Sequence, residues 1–397
     1  MPATSAERMR AWQGPALLSY GFRPFFLLGA IWAALAMALW VLMLAGLIAL
    51  PTRFDPVSWH GHAFLFGYLG AVIAGFLLTA VPNWTGRLPV TGWWLGGLVA
   101  LWAAGRVAVM TSALLPVWAA PAVDLAFPLA LGAVILREIV AGRNLRNLVV
   151  LGLLAVFTLA NLIFHVEAAR GVYAAQGVGL RLGVSSVIGM IALIGGRIVP
   201  SFTRNWLVKR GAGPRPAPPM QRLDTAVLLA TLAALLLWSA APEAPVTGVA
   251  LMGLAALHAV RLARWTGHRT GAEPLVWVLH VAYALIPLGA LCLGIAGLWP
   301  GILPAAAAQH VWMAGALGLM TLAVMTRATL GHTGQALTAN RATVAIYGAL
   351  IGSLVARLVA GWAPGTPGHE ISALLWIAAF AGFAVAYGPA LCTKKTA

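Results

Sequence analysis

Residues 306–329 read AAAQHVWMAGALGLMTLAVMTRAT, one long apolar helix with His310 near its start, Arg327 near its other end and His332 just beyond. About 20 such residues, rising about 1.5 Å each, cross the hydrocarbon of a bilayer. An ionisable side chain in that medium costs a few kcal/mol or more, so one that is present usually binds something. Residues 59–87, WHGHAFLFGYLGAVIAGFLLTAVPNWTGR, follow the same design: His60 and His62 open the run, and Asn83, Thr85 and Arg87 close it. The function is expected to reside with these two helices.

Apolar residues fill 61% of the 397 positions and charged residues only 9%. Mean hydropathy is +0.91. A soluble domain carries about a quarter charged residues, which excludes that class. The pattern predicts an all-α polytopic membrane protein with twelve transmembrane helices. They fall near 25–50, 60–82, 93–113, 119–139, 147–168, 178–200, 224–241, 246–263, 274–297, 306–330, 342–361 and 370–391. Residues 1–24 are then a cytoplasmic N-terminal segment, 25–391 one transmembrane domain, and 392–397 a cytoplasmic tail. The first run is too long for the core of a cleaved signal peptide and is kept as a span.

The net charge of +16 is expected to be topology rather than a nucleic-acid footprint. With the N-terminus inside, 20 of the 25 Lys and Arg fall on the inner side, Arg8, Arg10, Lys394 and Lys395 among them, and 5 fall outside. The positive-inside rule then puts both termini in the cytoplasm. Cys292 and Cys392 fall near opposite faces, so no disulfide is expected. No C-x-x-C-H motif occurs, so any haem is held non-covalently.

Three predicted spans end with related signals: AVPNWTGR (80–87), RIVPSFTRNW (197–206) and AVMTRATLGHTG (323–334). They are four spans apart. Read as an internal repeat, they imply three four-helix units about a pseudo-threefold axis. The other reading is three ordinary arginine-bearing span ends. The 44 glycines are explained by close helix packing, and the 17 tryptophans by interfacial belts.

The histidines carry the chemistry. By this topology His60, His62, His165 and His310 lie near the periplasmic ends of their spans, and His258, His280 and His332 toward the cytoplasm. His332 is placed in a loop, as are His268 and His369. His310 and His332 are about 33 Å apart along a helix and cannot share a site. His60 and His62 point about 200° apart and cannot chelate one ion together. The economical pairing joins His60 or His62 to His310. Two neutral imidazoles from different helices are what a low-spin b-type haem requires. Trp59, Phe64, Phe66, Trp312 and Met313 would surround it. The alternative for each is an interfacial histidine bonded to a carbonyl or to headgroup water.

A second cluster gathers Arg87, Arg197, Arg204, Arg327 and His332 with Asn83, Thr85, Ser201, Thr203 and Asn205 at the cytoplasmic ends of spans 2, 6 and 10. Such arginines pair with haem propionates, an anionic ligand or lipid phosphate, or simply anchor the topology. His280 could add a metal or haem ligand at that face. Copper would take imidazole or thioether donors, with His280, His332, His165 and Met313 as candidates.

At these residues the chain resembles the NnrS family. The motifs that carry the resemblance are GFRPFFLLGA (21–30), WHGHAFLFGYLGAVIAGFLLTAVPNWTGR (59–87), IGGRIVPSFTRNWL (194–207) and GALGLMTLAVMTRATLGHTG (315–334), with His310 ahead of the last. The resemblance covers essentially the whole chain. It implies haem b, copper, a bacterial inner-membrane location and a part in the response to nitric oxide and nitrosative stress. The twelve-span layout also looks like the catalytic subunit of haem–copper oxidases and nitric oxide reductases. Those enzymes place metal-binding histidines on spans 6 and 7, where residues 178–200 and 224–241 have none. A conventional nitric oxide reductase is therefore not expected.

The first functional expectation is a haem-b and copper protein that handles nitric oxide by metal redox chemistry or electron transfer, with quinone or another electron donor as a partner. No catalytic residue is singled out. The second is a transporter of an anion or metal with a cytoplasmic Arg/His vestibule. A haem-dependent assembly factor or a quinone-linked carrier is a third. Only nine acidic residues are present, and no paired carboxylates, nucleophile–base set or phosphate loop appears.

Overall fold

The computed structural model describes residues 12–211, 213, 215–363 and 365–393. Arg8, Arg10, Lys394 and Lys395, which the topology argument counts as inside charges, lie outside the described residues. Helix makes up 80%, with no strand among the described residues. Among the described residues, twelve helices are long and apolar enough to cross a membrane. They are α1 (Phe22–Leu44), α2 (Pro56–Thr85), α3 (Trp93–Met110), α4 (Ala119–Ala141), α5 (Leu145–Ala169) and α6 (Val178–Lys209). The rest are α7 (Arg222–Ala240), α8 (Pro245–Ala263), α9 (Pro274–Leu298), α10 (Ala305–Thr333), α11 (Arg341–Trp362) and α12 (Gly368–Cys392). The protein is an all-α, multi-pass membrane protein.

Where helix ends differ from the hydropathy reading, local chemistry explains it. The first run stays apolar to residue 50, yet α1 stops at Leu44, because Gly46 adopts φ +70°. Gly46 N–H then donates to Met43 O at 3.1 Å and Leu47 N–H to Leu42 O at 2.9 Å, the reciprocal bonds that close a helix on a left-handed glycine. α2 begins earlier than expected, at Pro56, because the Asp55 side chain accepts from Val57 N–H and Ser58 N–H, each at 3.0 Å. His60 and His62 therefore sit past the first turn rather than at the span's edge. At the other extreme, α6 and α10 run on to Lys209 and Thr333, with Pro200 accommodated inside α6. His332 is thus helical, not in a loop, and His369 lies in the first turn of α12.

Three helices stand apart. α2, α6 and α10 span 30, 32 and 29 residues, and 83%, 78% and 72% of their apolar windows are buried, against 33–50% for the other nine. Each contains a π-helical stretch: Ala63–Tyr68, Ile191–Gly195 and Val311–Leu317. A π turn widens the helix and displaces carbonyls from the regular ladder, which need other donors. Trp32 Nε1 donates to Ala63 O and Trp102 Nε1 to Gly67 O, both at 2.9 Å. Arg261 Nη1 donates to Ala192 O at 2.8 Å.

The chain forms two compact units. Unit 1 comprises the chain up to Gly183, Ala328–Ala336 and residues from Phe380 onward; unit 2 comprises Val184–Arg327 and Leu337–Ala379. In unit 1 the GFRPFFLLGA motif lies along α2. A Cβ on Gly75 would come within 2.8 Å of the Phe26 ring, so only glycine allows that approach. Arg23, buried, donates through Nη1 to Ala390 O, Leu391 O and Thr393 O at 3.2, 2.9 and 2.7 Å, satisfying the last carbonyls of α12. In unit 2, Gly294 on α9 packs on Gly248 of α8, where an added Cβ would lie 2.8 Å from the Gly248 carbonyl. Trp312 Nε1 donates to Ile286 O at 2.9 Å, and its ring meets Trp238 at 5.3 Å.

Candidate metal centre

Unit 1 buries a polar cluster that four helices build. α2 supplies His62, on the residue before its π turn; α3 supplies Arg106, α4 Asp124, and α5 Asn161 and His165. Asn161 and His165 are four apart, so one face of α5 presents both. All five are buried, His62 completely. His62 Nε2 lies 3.1 Å from Asp124 Oδ2, and His165 Nε2 lies 3.1 Å from the same oxygen. Asn161 Nδ2 donates to Asp124 Oδ2 at 2.8 Å, which leaves Asn161 Oδ1 as an acceptor 3.0 Å from His62 Nε2. Asp124 Oδ1 accepts from Arg106 Nη2. Burying a carboxylate this deeply is tolerable because a cation and three further polar groups meet it.

Two chemical states suit this geometry. With Nε2–H tautomers, both imidazoles donate to Asp124. With Nδ1–H tautomers, the Nε2 lone pairs and Asp124 Oδ2 form a group of three ligand atoms, all within 4.8 Å of one another. A tetrahedral ion with bonds of about 2.0 Å has ligand edges of about 3.3 Å, close to the two 3.1 Å separations. His62 Nδ1 and Arg106 Nε and Nη1 are buried with no hydrogen-bond partner among the described residues. The two Nε2 atoms and the Asp124 carboxylate make a donor set that could hold a metal ion.

The cluster's surroundings are apolar. Phe54 packs on His62 and His165 with ring centroids 5.3 and 5.5 Å away, and Phe66 and Phe164 meet His62 at 5.2 and 5.6 Å. Phe54 also lines an open cavity of about 460 Å³ bounded by residues between 43 and 56, so this ring touches both that space and the two histidines. On the far side a cavity of about 10 Å³, room for about one water, touches Arg106, Asp124 and Asn161.

Unit 2 buries a different network. Arg261 Nε donates to Asp224 Oδ1 at 2.7 Å, and its Nη1 reaches Tyr283 Oη at 2.9 Å as well as Ala192 O. Tyr283 Oη lies 3.0 Å from His258 Nδ1, and His258 Nε2 lies 3.0 Å from Thr231 Oγ1. Both nitrogens of His258 are engaged, so this network fastens the π turn of α6 rather than gathering ligands.

The residues singled out from sequence divide between the units. In unit 1, His60 and His62 do point to different partners: His60 stacks on Trp40 at 4.1 Å, while His62 enters the cluster. Arg87 pairs through Nε with Glu138 at 2.5 Å, and His332 packs beside Phe22 and Tyr20 at 5.3 and 6.3 Å. In unit 2, His310 Nδ1 lies 2.6 Å from Ala306 O, which fixes the Nδ1–H tautomer and leaves the Nε2 lone pair for another partner. His280 Nε2 bonds Thr203 at 2.7 Å, and its Nδ1 is buried with no partner among the described residues. Arg327 lies over the Phe202 ring at 4.2 Å. Arg197 is half-buried and Arg204 exposed.

Residues 16–395 match the family described as NnrS protein. The chain belongs to the NnrS family. No curated protein matches it. The family match takes in all twelve spans up to Cys392 and so contains every member of the His62–Asp124–His165 group.

Sequence reasoning passed over Asp124, Arg106 and Asn161 and gave His165 little weight. A signal was present. Asp124 is one of only nine acidic residues and interrupts the apolar run AAPAVDLAFPLAL (119–131). A lone carboxylate in a span needs a partner, and the same rule that drew attention to the histidines applies to it.

Proposed function

We propose that this NnrS-family protein acts in the nitric oxide response as a metalloprotein of the bacterial cytoplasmic membrane, with copper and haem b as cofactors and both termini cytoplasmic. Family membership supports the nitric oxide role. The observation that carries the metal reading is the buried His62–Asp124–His165 group.

Copper suits two imidazoles beside a carboxylate. With Nδ1–H tautomers, His62 Nε2, His165 Nε2 and Asp124 Oδ2 would hold it together. His310 is the donor for haem iron, because its Nδ1–H is tied to a backbone carbonyl as metal-bound histidines usually require. Arg197, Arg204, Arg327, His280 and His332 stand as candidates for an anionic or metal ligand at the other ends of their helices. Arg327 is 17 residues from His310, about 25 Å along the helix, so it serves a different group from that haem. Such metals bind nitric oxide or pass single electrons. Phe54, Phe66 and Phe164 give the two histidines an apolar surround. Quinone or another donor supplies electrons in this reading.

The test is purification from membranes with copper quantification and an optical spectrum, before and after exposure to nitric oxide. Paired His62→Ala and His165→Ala should abolish copper and leave the haem spectrum, and His310→Ala should do the converse. A wild-type preparation holding neither cofactor would end the proposal.

A further inference from the structure

The hydrogen bonds of the unit 2 network fix where each proton sits. Thr231 Oγ1 donates its one hydrogen to Val227 O at 2.7 Å, so toward His258 Nε2, 3.0 Å away, it accepts. His258 is therefore the Nε2–H tautomer, and its Nδ1 carries a lone pair. Arg261 Nη1 directs its two N–H groups to Ala192 O and Tyr283 Oη. The Tyr283 hydroxyl is then the donor to His258 Nδ1 at 3.0 Å. Tyr283, His258 and Arg261 are fully buried, so this imidazole is the base within reach of that phenol.

That arrangement suits one-electron oxidation. A phenol that loses an electron becomes a strong acid, and in a medium of low dielectric the charge is costly unless a bonded base takes the proton. Here the proton has one hydrogen bond to cross. The Arg261 charge is already met by Asp224 Oδ1 at 2.7 Å, so a new imidazolium does not stand beside an unpaired cation. Beyond His258 the chain of bonds ends on the Val227 carbonyl, which keeps the proton next to the radical. Trp265, itself buried, meets the Tyr283 ring edge-on at 4.5 Å and lies three residues before the exposed His268. It gives the electron an aromatic contact toward the end of α8. We propose that Tyr283 is a one-electron donor with His258 as its proton acceptor, and that the oxidant is a nitrogen oxide radical, nitrogen dioxide. Nitrogen dioxide takes one electron from the phenol and leaves as nitrite. The Tyr283 O–H bond breaks and an N–H bond forms at His258 Nδ1, so the products on the chain are a neutral tyrosyl radical and an imidazolium. The choice of oxidant rests on the nitric oxide reading above; the tyrosine step does not.

The full-length protein in detergent, kept anaerobic, is oxidised in two separate arms, by photo-oxidised tris(bipyridine)ruthenium and by nitrogen dioxide generated in solution. Rapid freezing and electron paramagnetic resonance read the radical, and double resonance on chains carrying isotopically labelled histidine reads its coupling to an imidazole. Both arms should give a tyrosyl signal, narrowed by ring-deuterated tyrosine, with a histidine-coupled component. Tyr283→Phe should lose that component. His258→Gln, which can accept the hydrogen bond but not the proton, should form the radical on the order of 100-fold more slowly. A wild-type chain with no histidine-coupled radical in the ruthenium arm overturns the inference, as does a folded Tyr283→Phe chain that keeps it or a folded His258→Gln chain with an unchanged rate. If neither variant folds, the wild-type coupling decides. A coupled radical with ruthenium but none with nitrogen dioxide overturns the choice of oxidant and leaves the Tyr283–His258 step standing.

Discussion

Arg106 on α3 and Asp124 on α4 meet as an ion pair with 6% and 0% of their side chains exposed, and every other polar group of the unit 1 cluster is hung on that carboxylate. Removing one partner strands a buried charge and typically costs about 3–5 kcal/mol, whereas removing both can be nearly neutral. Arg106→Leu and Asp124→Leu should each lower the thermal midpoint in detergent markedly, and the double substitution should recover part of the loss, because His62, His165 and Asn161 still lack the carboxylate. Equal loss in the double variant would mean that shape rather than charge pairing holds the site.

Phe54 lines the 460 Å³ cavity and packs on both His62 and His165. Phe54→Leu keeps an apolar side chain but shortens the wall. Histidine modification by diethylpyrocarbonate, mapped by peptide mass, should then reach His62 and His165 several times faster, with His258 unchanged as an internal control. Equal rates at His62 and His165 in both proteins would show that access runs by another path.

The twelve spans are legible in the sequence because apolar length is a property of single segments. Helix ends are less so: the run through residue 50 hides the stop that the backbone of Gly46 imposes. The π turns are not legible at all, since a turn such as that at Ala192 depends on Arg261, which lies 69 residues further on. The same reason conceals the metal centre. His62, Asp124 and His165 share no local spacing and are neighbours only after α2, α4 and α5 have packed. His62 is accessible to sequence reasoning because its own run announces it, whereas Asp124, Arg106 and Asn161 each read alone as a stray polar residue.

Tyr283 Oη joins Arg261 to His258 in unit 2. Tyr283→Phe deletes both bonds without a cavity and leaves His258 Nδ1 unmatched, at a cost of about 1–3 kcal/mol. Unit 1 is untouched, so copper content should stay at the wild-type value while the thermal midpoint falls. Loss of copper in this variant would show that the two networks are coupled.

Two glycines should respond for opposite reasons. Gly46 has open space around a Cβ but φ +70°, so Gly46→Ala strains the backbone by about 1–2 kcal/mol. Gly196 has ordinary helical neighbours but packs on the Arg261 guanidinium, where a Cβ overlaps it. Gly196→Ala should therefore cost more, about 1–3 kcal/mol, by displacing Arg261 from Ala192 O. Combining Gly196→Ala with Arg261→Ala should add less than the sum of the two, which denaturation of the four proteins measures. Full additivity would deny the contact.

Orientation follows from charge, and reporters can read it. The turn after α6 carries Arg210 and Arg215, and the turn after α2 carries Arg87, whereas the one after α1 carries Arg53 alone. Positive charge near span ends is retained on the cytoplasmic side. Alkaline phosphatase, active only after export, should be inactive when inserted at Gly213 or fused behind the C-terminus, and active when inserted at Gly171 between α5 and α6. A fluorescent protein at the C-terminus should give the complementary signal. The reverse pattern would invert the chain, placing the arginine-rich ends of α2, α6 and α10 outside and His310 toward the cytoplasm.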